Sequence, residues 1–441
     1  MSIRHKNRLI LVAIAAALVM AFIFVIPYVF DPNRYRPQII SYLQDKSGKA
    51  VEIGRLTLNF FPTLSIHVYD FGMKNPAEFP PGYFIKVARI DAEVDATSLL
   101  HRRIVIKSVV LQNPFINLIS DPDGPWNFEN TQSKNMGKLF LGLIPKVEVK
   151  EGQLTASNLL PSDAPGVTFF EAHNISSRLQ QVDLDEFVDP SSLSVAAQGY
   201  WKVDSLRFGA IQATNVNSKV RLLPRQASFT DASLDAYGGR ATGDLSFDLT
   251  GRNTKFNTNM QMKDLNVTHV LSAFREPVKM TGKMEGEMKL AGEIEHSNDP
   301  WAGIHGVGHL TVRNGQMPDL KLNENLMKLA HFNNLGPAAK DPSSFSSVSA
   351  DLSLANQRIS SYEINIVGYG VNVQGSGTLS LRASDSLDYK GVATILTEQG
   401  FFTNMMARLS GATLKDGRLS FPFWVGGTIQ SPKFSKAKKG D

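Results

Sequence analysis

The sequence contains no cysteine. This absence excludes disulfide bonds, a cysteine nucleophile and zinc sites built on cysteine thiolates. A strong excess of one charge sign is also missing, since the formal net charge is only +5 over 441 residues. A basic stripe of the kind that binds nucleic acid is therefore not expected. Hydrophobic residues make up 42% of the chain, which is ordinary for a folded protein.

Long uncharged hydrophobic runs are also scarce, and the one that occurs is residues 9–30, LILVAIAAALVMAFIFVIPYVF. A helix of this length is about 30 Å long, which matches the hydrocarbon core of a bilayer. Arg4, Lys6 and Arg8 precede the run, so residues 1–8 are predicted to form a cytoplasmic tail. The sequence therefore predicts one membrane crossing, with the bulk of the chain on the far side.

A cleaved signal peptide is the alternative interpretation of the same run. The apolar segment of a signal peptide is usually about 7–15 residues long and is followed by a small-residue cleavage site. Here the apolar run continues through Phe22, Phe24, Val25 and Ile26 without an Ala-x-Ala sequence at its far end. These features favour a retained transmembrane helix.

After the anchor, residues 31–50 are predicted to form a short amphipathic helix at the membrane surface, which Gly48 ends. From Val51 the apolar residues recur at every second position. The sequence LSIHVYDFGM, for example, alternates through Ile66 and Val68 and then resumes at Phe71. Such alternation is typical of a β-strand with one apolar and one wetted face.

The same alternation continues through most of the chain. At roughly 10–13 residues per strand and turn, it predicts ~30–40 strands. Three segments, 265–274, 320–332 and 397–411, instead have helical spacing and are predicted to be short amphipathic helices. They either cover an end of the sheet or have a binding or gating role. The predicted strand segments are 51–60, 64–73, 85–94, 103–112, 114–120, 146–159, 194–203, 207–223, 227–251, 282–292, 306–317, 347–359, 363–383 and 417–430.

The predicted fold is mainly β, with an elongated, curled antiparallel β-sheet that follows the transmembrane helix and forms a hydrophobic groove. A sheet with one apolar face must cover that face, and the sequence has no clear linker between Val51 and Ile395. The predicted divisions are an N-terminal β-groove at 51–264, a C-terminal β-groove at 265–430 and a basic tail at 431–441. An unfilled groove beyond a membrane would hold lipid acyl chains.

Eleven alternating apolar residues are the candidate lipid-binding positions. Any one of them is more often a core residue than a ligand contact, so the prediction depends on their number. They are Ile66, Val68, Val87, Phe115, Leu118, Leu245, Phe247, Leu310, Val312, Leu379 and Leu381.

Residues that could support catalysis or bind a metal were weighed separately. His305 and His309 have metal-ligand spacing for a helix, but in a predicted strand they lie about 13 Å apart. Asp121 and Asp123 resemble the start of a calcium loop but lack the later ligands, so a turn explains them better. We therefore predict neither an enzyme nor a resident metal or cofactor.

Three regions of the sequence resemble the AsmA family of inner-membrane-anchored periplasmic proteins. Residues 31–76 have the family's opening helix, strand and Asn-Pro turn, with matching residues at Tyr35, Arg36, Gly48, Ile53, Pro62, Asn75 and Pro76. Residues 85–130 end in the family's Gly-x-Trp-Asn turn at Gly124, Trp126 and Asn127. Residues 309–330 and 418–434 resemble its C-terminal elements, the latter through Gly427, Thr428, Ser431 and Pro432.

The resemblance implies a repeating β-groove similar to bridge-like lipid-transfer proteins, and a single-pass inner-membrane protein whose bulk lies in the periplasm. It implies a role in moving phospholipid between the inner and outer membranes or in outer-membrane assembly. The expected partners are phospholipid, the inner membrane and an outer-membrane or periplasmic protein, and not nucleic acid. The alternative hypothesis is a scaffold or chaperone that assists outer-membrane protein assembly without transporting lipid.

Overall fold

A computed structural model describes residues 31–101, 105–121, 126–127, 143–159, 167–183, 196–248, 250, 254–272, 279–294, 303–329, 344–381, 386–396, 412–428 and 431–436. The predicted anchor at 9–30, the predicted helix at 397–411 and the Asp123–Gly124 turn lie outside these residues. None of the helices in the described part of the chain is long and apolar enough to cross a bilayer.

Four short α-helices occur among the described residues: α1 Arg36–Ser47, α2 Ala96–Leu100, α3 Val267–Leu271 and α4 Leu322–Leu329. A 3₁₀ turn at Pro32–Tyr35 precedes α1, and Gly48 ends α1 in the left-handed conformation, at φ 65°. A helix therefore lies within each of the predicted segments 31–50, 265–274 and 320–332, and α3 is only five residues long. The helix α2 was not predicted from the sequence.

The chain divides into two compact units. Unit 1 comprises residues 1–209 and 217–227, whereas unit 2 comprises residues 210–216 and 228–441. This division falls earlier in the chain than the predicted division at 264. Strands β9 Ile211–Leu223 and β10 Gln226–Ala236 carry residues of both units.

Unit 1 contains eight further strands, β1–β8, which form a single sheet. Its strands pair antiparallel with their sequence neighbours from β3 to β8, and both β1 and β2 pair with β3. The pair β5–β6 is the exception, because it is parallel. The predicted antiparallel sheet is therefore confirmed except at this pair, where a 22-residue connection takes the place of a tight hairpin. The strands are β1 Val51–Glu52, β2 Arg55–Asn59, β3 Ser65–Lys74, β4 Tyr83–Val94, β5 Ile106–Ser120, β6 Leu143–Asn158, β7 Val167–Asp183 and β8 Ala196–Phe208.

Unit 2 contains a second long run of antiparallel pairs. From β11 to β18 each strand pairs with the next, and β20 then pairs with β18, β19 and β21. The strands are β11 Gly239–Asp248, β12 Thr254–Asn266, β13 Lys283–Ile294, β14 Ile304–Gln316, β15 Ser344–Ala355, β16 Arg358–Gly368, β17 Val371–Ser380, β18 Ser386–Leu396, β19 Thr413–Lys415, β20 Arg418–Thr428 and β21 Pro432–Lys436.

The described residues form 21 strands, fewer than the ~30–40 expected from turn spacing. The difference arises because many strands are longer than was assumed. β5, β6 and β7 contain 15, 16 and 17 residues. β5 also runs through Pro114 without interruption, although the sequence analysis divided it there into two strands.

Several strands of unit 1 contain one residue in the left-handed conformation. Asp70 in β3, Asn113 in β5 and Glu151 in β6 have φ values of 52°, 51° and 55°. Aspartate and asparagine adopt this conformation more readily than most residues. Each such residue shifts the alternation by one position, so that Val68 and Phe71 both pack against the apolar cluster that adjoins α1. The Asn113 amide also donates to Glu151 Oε2 at 2.8 Å and so connects two kinks.

Candidate functional site

One face of the unit 1 sheet is apolar across its strands. The register places Val68, Ile90 and Leu111 side by side, with Val149 next in line on β6. These four side chains are half-buried. At the edge of the sheet, α1 covers part of the face through Ile40 and Leu43, which pack against Val51, Ile53 and Leu56.

The apolar face of unit 2 is closed at one end of the strands. There, α3 and α4 pack over the sheet, and Leu326 of α4 is fully buried among sheet residues. The cluster beneath it includes Val371, Ile395 and Leu419, which are at most 2% exposed. This end is a well-packed hydrophobic core.

The opposite ends of the same strands are more open. Leu245 pairs with Thr258, which pairs with Leu290, and farther along the sheet Ile359 pairs with Leu379 and Leu379 with Leu387. The five apolar side chains in this row are half-buried. Phe247 continues the surface through an edge-to-face contact with Phe229, with ring centroids 6.3 Å apart. Thr258 and Leu354, which lie in the same row, are buried at 7% and 9% exposure. We call this half-buried strip the open band of unit 2.

The structure places most predicted lipid-binding residues on these two faces. Seven are half-buried there: Ile66, Val68, Leu118, Leu245, Phe247, Leu310 and Leu379. Val87 and Val312 lie on the same faces but are only 1% and 8% exposed, so they belong to the packed interior.

Two predicted positions differ from this arrangement. Phe115 pairs laterally with Lys86 and Gln153, so it lies on the face opposite Leu118. Its inclusion in one row with Leu118 was wrong, because two residues three apart in a regular strand point to opposite faces. Leu381 follows the end of β17, where its backbone N–H donates to the carbonyl of Gln357 at 2.8 Å.

Sequence reasoning missed several residues of the open band. Phe256, which pairs with Phe247, and Leu387 lie in β12 and β18, two strands that were not predicted from the sequence. Leu290 and Ile359 lie in predicted strands but were not named as candidates. Their alternation with polar neighbours was the available signal, but it could not show which strand ends are covered.

The faces opposite the apolar ones carry cross-strand ion pairs. In unit 2, His309 Nδ1 lies 2.6 Å from Asp351 Oδ1, and Arg313 Nε donates to Glu285 at 2.7 Å. His305 and His309 both lie on β14, which confirms the predicted strand. These faces are suited to contact with water.

In unit 1 the corresponding network centres on Asp91. Burial alone would raise the pKa of Asp91, but hydrogen bonds from His67, Arg89 and Gln112 hold the pKa below its usual value. Ser65 Oγ also lies 3.3 Å from His67 Nε2, so Ser65, His67 and Asp91 are connected in the same order as the Ser-His-Asp triad of hydrolases. Ser65 is only 8% exposed, and Arg89 occupies the same carboxylate oxygen as His67, so we assign this network to bracing the sheet.

A second polar network holds the N-terminal part of unit 1 together. The fully buried Asn127 donates from Nδ2 to Asn75 Oδ1 at 2.9 Å and to the Asn117 carbonyl at 2.7 Å, while its Oδ1 accepts from Ile119 N at 3.0 Å. The Lys49 ammonium donates to the Asn127 carbonyl at 2.8 Å, and burial lowers the pKa of Lys49. This asparagine network joins β5 to the segments that follow α1 and β3.

The comparison with protein families bears on this part of the chain. The sequence model of the AsmA family matches residues 4–139. Residues 4–139 are thus an AsmA family region, which makes up less than half of the chain. The matched region includes α1, strands β1–β5 and the asparagine network, so the AsmA residues Asn75 and Asn127 have an architectural role here. The resemblances at 309–330 and 418–434 lie outside the match and stay predictions. Neither the curated proteins nor the solved structures gave a match to this chain.

Proposed function

We propose that this chain is a membrane-anchored periplasmic protein that holds phospholipid acyl chains on the apolar faces of its two units. In this role it helps to move phospholipids between the inner and outer membranes and so maintains outer-membrane integrity. The observation that carries the proposal is the open band of unit 2, where Leu245, Leu290 and Leu379 are half-buried, whereas the core at the other end of the strands is fully buried.

Apolar surface in contact with water needs an explanation, because removing it from water stabilises a protein or complex by roughly 25 cal/mol per Å². Soluble monomers rarely leave large contiguous apolar patches in water. Acyl chains laid across the faces would remove this surface from water, and the head groups would stay hydrated. The uncharged run at 9–30 supports a location at a membrane, where acyl chains are abundant. No covalent step is required.

Site-specific photo-crosslinking tests the proposal in the full-length protein. A benzophenone amino acid is placed at Leu154 or Leu379 on the apolar faces, with matched controls at the adjacent Gln153 and Thr378 on the opposite faces. After irradiation in cells with radiolabelled phosphate, we expect labelled phospholipid on the protein at Leu154 and Leu379. The two control positions should give at least fivefold less.

Equal labelling at adjacent positions would contradict binding on one face. Crosslinks from Leu154 and Leu379 to protein instead of lipid would favour the scaffold or chaperone hypothesis. In that case the open band would be a protein-binding surface.

A further inference from the structure

The edge of unit 1 beside α1 contains a cleft of about 490 Å³. Two of its apolar lining residues, Ile40 and Phe71, also pack against the apolar cluster under α1. The cleft therefore adjoins the apolar face at its first edge. The charged residues in its lining are Arg36, Glu52, Asp70 and Lys86.

One of these four charges is already neutralised within the sheet. Lys74 Nζ lies 2.6 Å from Glu52 Oε1, and the Tyr83 hydroxyl donates to Glu52 Oε2 at 2.7 Å. Both contacts lower the pKa of Glu52. Glu52 is thus committed to the protein itself.

The other three charged groups are less engaged, although the charge of Lys86 also helps to lower the pKa of Glu52. Among the residues that the structure describes, none forms a salt bridge with Arg36, Asp70 or Lys86. The Arg36 guanidinium donates to the Gly54 carbonyl, and the Lys86 ammonium lies 5.4 Å from the ring centroid of Tyr83. The cleft therefore presents two cations and one carboxylate at the edge of the sheet. Lys86 reaches it from the face opposite Phe71, because Lys86 pairs with Gly72 whereas Phe71 pairs with Val87.

Two glycines in the lining have no side chain and so leave space for a charged group and for the aromatic ring. A Cβ atom at Gly54 would lie 3.0 Å from Asp70 Oδ2, and a Cβ at Gly72 would lie 2.7 Å from the Tyr83 ring. Since Arg36 bonds the Gly54 carbonyl, Asp70 and Arg36 both approach the same residue. This brings opposite charges to one wall of the cleft without a direct ion pair between them.

We propose that this edge cleft binds the headgroup of a zwitterionic phospholipid of the phosphoethanolamine class, a specificity that rests on the proposed lipid-binding function. Arg36 and Lys86 donate hydrogen bonds to the phosphate, for which arginine and lysine are suited. Asp70 accepts from the ammonium group, and the acyl chains start beside Ile40 and Phe71. Arg36 lies six residues beyond Phe30, the end of the apolar run, which places the cleft near the membrane surface.

The carboxylate makes the cleft selective. A phosphoglycerol headgroup carries the same phosphate but has no ammonium group to pair with Asp70. The Asp70 carboxylate would then lie near the negatively charged phosphate without a cation between them. Like charges brought close together disfavour binding. We therefore expect discrimination between two abundant bilayer lipids that have the same acyl chains.

The test places a photoreactive amino acid at Ile40 in the full-length protein and presents vesicles made of equal parts phosphatidylethanolamine and phosphatidylglycerol. Mass spectrometry of the crosslinked lipid should show at least a threefold excess of phosphatidylethanolamine. Asp70→Asn should remove the excess, and Arg36→Gln with Lys86→Gln should reduce both lipids at least fivefold. Asparagine suits the left-handed backbone of Asp70, so the substitution keeps the fold, which circular dichroism and thermal unfolding verify.

The matched control is Asp264→Asn in unit 2, another exposed aspartate in the left-handed conformation, at φ 58°, and it should leave the excess unchanged. Equal labelling by the two lipids, or an excess that survives Asp70→Asn, would overturn the headgroup proposal. Crosslinking of lipid in a second variant, which carries the photoreactive amino acid at Leu379 and is presented with the same vesicles, would then still support the proposed function. Absence of lipid at both Ile40 and Leu379 would overturn both. In a parallel reaction, labelling by soluble glycerophosphoethanolamine in preference to vesicle lipid would overturn the lipid assignment.

Discussion

At the scale of single residues, Asn127 connects three separate segments of unit 1. Replacing it with alanine removes the bonds to Asn75, Asn117 and Ile119 and leaves buried polar groups without partners. Each unsatisfied buried group costs about 1–3 kcal/mol. We expect Asn127→Ala to lower the opening free energy of β5 amides by about 3 kcal/mol or more, as measured by hydrogen exchange with mass spectrometry.

Asn59→Ala is the control for this prediction. Asn59 is exposed, and its side chain accepts a long bond of 3.4 Å from Phe61 N. Its replacement should change the protection of β5 by less than about 0.5 kcal/mol. Equal protection of β5 in the Asn127→Ala and Asn59→Ala variants would show that the asparagine network does not stabilise unit 1.

The alternation pattern is interrupted inside several strands, and the interruption in β3 has a cause at residue level. The sequence showed that the apolar series passes from Val68 to Phe71, but it did not show why. In the structure Asp70 takes a left-handed conformation and is an extra residue in the alternation of β3, so Val68 and Phe71 lie on the same face. Aspartate is common in turns and polar surfaces as well, so its identity alone could not reveal a kink inside a strand.

At the scale of elements, α4 closes one end of the apolar face of unit 2. Leu326 is fully buried there, so Leu326→Ala leaves a cavity, and such changes cost about 2–5 kcal/mol. Hydrogen exchange of β17 and β20, which lie in the same core, should accelerate accordingly, whereas peptides of unit 1 should be unaffected. The exposed Lys328 on the same helix provides the control, because Lys328→Ala should leave exchange in β17 and β20 nearly unchanged.

Whole elements were predicted where alternation was strong and missed where it was weak. β12 contains mostly asparagine, lysine and methionine, which have little β-propensity, yet it pairs along most of its length with β11 and β13. Its partners supply the hydrogen bonds that fix it as a strand. β7 and β18 were missed as well, and the parallel pairing of β5 with β6 depends on contacts distant in sequence that no local pattern encodes.

At the scale of the whole molecule, both units have an apolar face of the same chemical character, so we expect each to bind lipid independently. Leu154→Glu in unit 1 or Leu379→Glu in unit 2 places a charge on a half-buried position of one face, where burying it beside acyl chains is strongly unfavourable. Each single variant should lose roughly half of the phospholipid that copurifies with the full-length protein, and the double variant should lose nearly all of it. Native mass spectrometry with lipid extraction measures the number of lipids per chain.

Gln153→Glu and Thr378→Glu add the same charge on the opposite faces and should retain the wild-type number of bound lipids. Complete loss of lipid from one single variant, with its fold intact, would show instead that the two faces fill together.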